Sequence, residues 1–179
     1  MKDLTERLVD SLHRVQLDVL LLALPYDCRA VETAILFEDP FVVCLPSNHP
    51  LANGGAVKPR RLWDADLFLL KDGHCLRDHA LCACQLADRH RTEGFEATSL
   101  PTLVQMVDDG LGITLLPWLA VEAGLLLGTS LVTRPLLTKE PARKIGLVWR
   151  RGTGRREEFR LLAKELTERA KLNAKSVAR

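Results

Sequence analysis

Apolar positions along this chain switch between two periods, and the switches mark out its elements. Leu4, Leu8, Leu12 and Val15 share one face of an amphipathic pattern, so residues 1–16 are predicted to form a helix. Residues 17–24 follow as an almost unbroken apolar run, the signature of a strand buried on both faces of a parallel sheet. Residues 31–37 and 41–45 read as strands divided by Glu38-Asp39-Pro40, and Ser47-Asn48-His49-Pro50-Leu51 as a turn and short helix start. A strand over residues 67–70 delivers the chain to a helix from Cys75 to about His90, with Leu76, Ala80, Ala83 and Ala87 at three- and four-residue steps. A short strand over residues 94–98 precedes a helix on Leu100, Leu103, Val104 and Val107 that ends near Gly110. Residues 112–116 form a strand stopped by Pro117, and one or two helical turns run to Gly124. Strands at 131–133 and 144–149 lead to a closing helix, 155–172, with Phe159, Leu162 and Leu166 inward.

Strands alternate with helices, which predicts an α/β class with largely parallel pairing. The segment from Thr138 to Arg143, containing Glu140-Pro141, reads as a crossover between lobes. The sequence contains no internal repeat and no low-complexity tract.

At 179 residues, 47% apolar and 27% charged, the chain has the length for one good core or two small lobes and the composition of a globular protein. A net charge of +2 does not by itself imply nucleic-acid binding. No secretory n-region and apolar h-region is read at residues 1–30, and the longest apolar run is far short of a membrane span, so the expected location is the cytoplasm.

In that reducing compartment five cysteines, an odd number, are not a disulfide framework. Cys44 lies inside Phe41-Val42-Val43-Cys44-Leu45 and is read as buried. Cys28, in the turn-like Pro25-Tyr26-Asp27-Cys28, is read as exposed, with only Arg29 as a basic neighbour.

The other three crowd into residues 71–84, Lys-Asp-Gly-His-Cys-Leu-Arg-Asp-His-Ala-Leu-Cys-Ala-Cys. Cys75 has His74 and Arg77 beside it, Lys71 close by, and Gly73 at the helix start. Cations and helix N-terminal amides both favour a nucleophilic sulfur. On an intact helix Cys75 and Cys84 are half a turn and about 13 Å apart, whereas a disulfide needs Cα atoms within about 7 Å. The spacing therefore suits a switch in which oxidation selects a second conformation. Two other readings stand beside it. Cys75 is an ordinary helix-start cysteine, with Cys82 a plain core or surface residue; or His74, Cys75, His79, Cys82 and Cys84 supply metal ligands, since His79 and Cys82 share a helix face.

Gly73-His74-Cys75-Leu76-Arg77-Asp78 with the later Cys84, then Ala97-Thr98-Ser99-Leu100 and Gly112-Ile113-Thr114-Leu115-Leu116-Pro117, resembles the regulatory domain of the OxyR family. These are the peroxide sensors among the LysR-type transcriptional regulators. The resemblance runs from about Thr5 to the C-terminal helix and implies a two-lobed α/β domain like the periplasmic binding proteins. One lobe takes residues 1–38 and 143–179, the other residues 39–142. Cys75 matches the peroxide-reacting cysteine and Cys84 the resolving one. Thr5, His74, Arg77 and Arg143 are assigned to the peroxide pocket, Thr5 to orient the peroxide and His74 or Arg143 to stabilise the departing hydroxide. Cys82 has no counterpart, and is expected to compete with Cys84. No metal and no cofactor is implied.

Such regulators begin with a winged helix-turn-helix and a linker helix, which this sequence lacks. The first strand–helix–strand of the regulatory domain is also missing from it. The chain is therefore expected to be a truncated regulator that does not bind DNA by itself. Its expected partners are hydrogen peroxide, a thiol reductant of the glutaredoxin or thioredoxin kind, and a second copy through the regulatory domain, with no membrane involved. It is read as a sensor and not an enzyme. The alternatives are a LysR-type domain that binds a small organic effector and a low-turnover thiol peroxidase.

Overall fold

The computed structural model describes residues 4–71, 75–84, 97–138 and 143–177. The chain divides into two compact units, one of residues 1–38 and 143–179 and the other of residues 39–142. Of the predicted strand over 94–98, residues 94–96 lie outside the described residues, as does the predicted helical stretch 85–90.

The first unit contains helix α1 (Leu4–His13), strands β1 (Val19–Leu24), β2 (Val31–Glu38) and β7 (Lys144–Arg150), and helix α5 (Arg156–Val177). Its sheet has the order β1-β7-β2, and both pairings are antiparallel. Sequence alternation predicted parallel neighbours. β1 and β2 do point the same way, but β7 enters from the far end of the chain and runs between them. β7 is also the strand buried on both faces. Val148 packs with Val9, Leu12, Leu20 and Leu22 beneath α1, while Leu147 and Trp149 pack with Leu36, Phe159 and Ala163 beneath α5.

The apolar run of β1 is covered on one face only. Leu20 and Leu22 are buried, whereas Leu21 is 59% exposed because β1 is an edge strand. Helix α1 stops at His13 because Val15 adopts a left-handed φ of 63° and Gln16 donates its N–H back to the Ser11 carbonyl. Arg150 donates to the Leu12 and Leu17 carbonyls, both at 2.6 Å, and so satisfies acceptors at that helix end.

The second unit holds β3 (Phe41–Pro46), a 3₁₀ turn (Pro59–Leu62), β4 (Leu67–Phe68), α2 (Cys75–Cys84), α3 (Leu100–Asp108), β5 (Ile113–Pro117), α4 (Trp118–Glu122) and β6 (Leu131–Pro135). The sheet order is β4-β5-β3-β6. Only β4 and β5 pair in parallel; β3 is antiparallel to both neighbours. Isolated parallel bridges join Val57 to Leu136 and Leu70 to Ala97.

Helices cover both faces of this sheet, so its central strands read as continuous apolar runs. Ala80, Ala83 and Cys84 of α2 pack on Phe41, Val43, Leu45, Ile113 and Leu115. On the opposite face Val104 of α3 meets Val42, Cys44 and Leu116, and its Leu103 meets Phe68, Leu70 and Ala97. Ser99 caps α3 by accepting from the Thr102 N–H at 3.3 Å. Among the described residues no helix is long and apolar enough to cross a membrane.

Candidate functional site

Residues 75–84 fold as one unbroken helix. Cys75 is the first residue of α2 and Cys84 the last. The five cysteines are all thiols, and their exposures differ sharply. Cys75 is half-buried, Cys82 exposed and Cys84 sealed in the core. A nine-residue step leaves Cys75 and Cys84 half a turn and about 13 Å apart along the axis, so no bond forms while α2 persists.

What sets the difference is the inward face of α2. Ala80, Ala83 and Cys84 recur at three- and four-residue spacing, which turns all three toward β3 and β5. Burial among aliphatic side chains disfavours thiolate and pushes the Cys84 thiol up to about 12. The helix end is also tied, because the Trp63 indole N–H donates to the Cys84 carbonyl at 3.3 Å.

Two anchors hold the N-terminal end. Lys71 donates its backbone N–H to the Ala97 carbonyl at 3.0 Å, next to the Leu70–Ala97 bridge. Arg77 is buried and donates from Nη1 to the Leu70 carbonyl at 3.3 Å. Its guanidinium therefore fastens the first turn of α2 to the chain leaving β4. The sequence showed Arg77 as a cation near Cys75; its anchoring partner is a carbonyl that only the tertiary fold brings within reach. The Trp63 contact was likewise absent from the sequence reading. A lone tryptophan in the polar run Arg60-Arg61-Leu62-Trp63-Asp64 was its only signal.

The remaining site residues fall as follows. His74 lies outside the described residues. Thr5 is a buried residue on α1, and Arg143 is half-buried just before β7; both belong to the first unit. Cys75, Arg77 and Cys84 belong to the second unit. His79 is buried on α2. Among the described residues no three potential metal-ligand side chains converge.

Cys44 is buried under α3, and burial with the nearby Asp108 carboxylate pushes its thiol up to about 12. Cys28 is half-buried, not exposed as its turn-like setting suggested, because it packs beside Leu20 and Leu22. Burial and Asp27 raise its thiol too.

Comparison with known proteins places this architecture. The LysR substrate binding domain family matches residues 2–171. The chain is 42% identical over 165 residues to a probable hydrogen peroxide-inducible genes activator of Mycobacterium avium, a match covering 90% of this chain and 52% of the relative. The chain thus spans about half the length of the curated relatives it matches. Among solved structures, the OxyR2 regulatory domain (E204G variant) of Vibrio vulnificus superposes with a TM-score of 0.81 at 40% identity, covering 94% of this chain and 80% of that one. A mutant OxyR of Corynebacterium glutamicum with hydrogen peroxide bound gives a TM-score of 0.84 at 34% identity, covering 98% of this chain and 56% of that one. With a family match along nearly its whole length and a solved regulatory domain at 40% identity, the chain belongs to the LysR substrate-binding domain family, among the OxyR regulatory domains.

Proposed function

We propose that this chain is the peroxide-sensing regulatory domain of an OxyR-like transcription regulator and that it switches by forming a Cys75–Cys84 disulfide. The observation that carries this reading is the placement of two cysteines at opposite ends of one helix. One is accessible at its first turn and the other is locked in the core at its last.

In the first step the Cys75 sulfur attacks one oxygen of hydrogen peroxide. The O–O bond breaks, Cys75 becomes a sulfenic acid, and the second oxygen leaves as hydroxide and is protonated to water. In the second step the Cys84 sulfur displaces water from the sulfenic acid and the disulfide forms. Two thiols are oxidised and one peroxide is reduced to two waters. The resemblance assigns Thr5 to orient the peroxide and His74 or Arg143 to stabilise the departing hydroxide, while Arg77 anchors the turn of α2 that carries Cys75.

The second step does not proceed on the folded helix. Cys84 must leave its packing on Phe41, Val43, Leu45 and Leu115, and the turns between the two sulfurs must unwind. Closing so short a loop constrains the chain by roughly 2–3 kcal/mol. Melting a few helical turns adds a comparable cost, and oxidation by peroxide offsets both, so the oxidation state selects the fold.

A thiol reductant of the glutaredoxin or thioredoxin class resets the domain in the cytoplasm. DNA is read by the rest of the regulator, and a second copy pairs through this domain. The role is sensing, with one oxidation per switching event and no sustained turnover.

Peptide mapping by mass spectrometry after brief exposure to hydrogen peroxide tests the reading. The expected product is a 75–84 disulfide that is absent from Cys75→Ser. A Cys75 that stays a free thiol while peroxide is in excess overturns it.

A further inference from the structure

Cys82 is left over by the two-cysteine mechanism, yet its place on α2 is distinctive. It follows Cys75 by seven residues, about 20° short of two full turns, so the two sulfurs stand on one side of the helix about 10.5 Å apart along its axis. Cys84 lies half a turn round. Burial agrees with this geometry: Cys82 is exposed and Cys75 half-buried, whereas Cys84 faces the sheet at 0% exposure.

We propose that Cys82 is the first thiol to capture oxidised Cys75, and that it then hands the bond on to Cys84. The proposal rests on the peroxide-sensing reading and adds a relay to it. The Cys82 sulfur attacks the Cys75 sulfenic acid, an S–S bond forms, the S–O bond breaks, and the hydroxyl leaves as water with the Cys82 proton. The Cys84 sulfur then attacks Cys75, the 75–82 bond breaks, and Cys82 departs as thiolate, taking up the proton that Cys84 releases. The second step is an exchange with no net oxidation, so hydrogen peroxide is the only oxidant required.

The order follows from what each bond demands of the fold. A 75–82 bond requires the helix to unwind between those residues, while the Cys84 sulfur keeps its place against Val43, Leu45 and Leu115 and its carbonyl keeps the Trp63 indole. A direct 75–84 bond demands the same unwinding and, in addition, the extraction of that sulfur from the core. Once the first bond has broken the helix over residues 76–81, Ala83 and Cys84 hold only the last turn. A helical remnant of that length does not persist alone. The first bond thereby opens the way to the second.

Rapid-quench oxidation of the full chain with hydrogen peroxide, followed by alkylation and peptide mapping, tests the relay. A 75–82 disulfide is expected to appear first and to decay as the 75–84 disulfide rises. In Cys82→Ser the Cys75 sulfenic acid, trapped with a dione reagent, is expected to build up, and the 75–84 bond to form about tenfold more slowly. In Cys84→Ala oxidation is expected to stop at the 75–82 bond. The relay is overturned if Cys82→Ser forms the 75–84 bond at the parent rate, or if Cys84→Ala accumulates sulfenic acid with no 75–82 bond. A Cys75 that never becomes a sulfenic acid overturns the sensing reading itself, an outcome separable from either of these.

Discussion

Cys84 should be nearly inert in the reduced fold, and its inertness can be given a size. The perturbation is an alkylating agent such as iodoacetamide, which reacts with thiolate, applied to the reduced protein at pH 8. Burial moves the Cys84 thiol from its ordinary 9.0 to about 12. At pH 8 this lowers its thiolate fraction from about one in ten to about one in ten thousand, a deficit of about 1,000-fold. Its side chain is also 0% exposed, so a reagent reaches it only when α2 opens, and the free-energy cost of that opening sets the deficit in rate. Mass spectrometry of each cysteine-containing peptide against time supplies the rates. The denatured protein in urea gives the unhindered rate for the same sulfur, and Cys82 gives an exposed internal reference. For an opening cost of about 2–3 kcal/mol, native Cys84 is predicted to react about 30- to 150-fold more slowly than in urea. Modification of Cys84 as fast as Cys82 in the native protein would show that the sulfur is not held in the core.

Three further outcomes follow from named contacts. Arg77→Met removes the guanidinium that holds the Leu70 carbonyl; it should lower stability by about 1–3 kcal/mol in urea titration and speed native alkylation of Cys84. Gly112→Ala drives a Cβ into the Asp66 carbonyl oxygen and sets it 2.8 Å from the Phe68 ring, so β4 must shift against β5. The expected loss is about 1–3 kcal/mol, seen as a lower urea midpoint. Because the folded state holds the Cys44 and Cys84 protons to about 12 against 9.0 unfolded, their contribution is intact below pH 9 and is lost as pH rises toward 12. Stability should fall by up to about 1.4 kcal/mol per pH unit for each thiol, and Cys44→Val should remove its share of that slope.

The legibility of these features in the sequence depended on how local their causes are. The inward face of α2 was readable, because Leu76, Ala80 and Ala83 set a helical period and Cys84 falls four residues beyond Ala80. The apolar runs at 41–45 and 112–116 predict strands and no more, and α2 and α3 cover both faces of β3 and β5. Burial on both faces is expected instead for the run at 17–24, and that expectation fails at β1. A run of leucines says that a strand is apolar but not how many neighbours it has, and Leu21 lies open at a sheet edge.

Strand direction was misread for a related reason. Alternating helices and strands suggest parallel neighbours only when consecutive strands are adjacent, and here β7 separates β1 from β2 while β3 lies between β5 and β6. Arg77 and Trp63 were opaque because their partners are backbone carbonyls seven and 21 residues away. No residue type advertises such an acceptor.

The central claim is that the α2 helix and the 75–84 disulfide exclude one another. Hydrogen–deuterium exchange of the residue 76–84 amides, measured on the reduced protein and after peroxide oxidation, tests it most directly. Protected amides are expected in the reduced protein, with that protection lost in molecules whose mass shows the disulfide. A disulfide-bonded protein with the reduced protection pattern intact across those residues would contradict it.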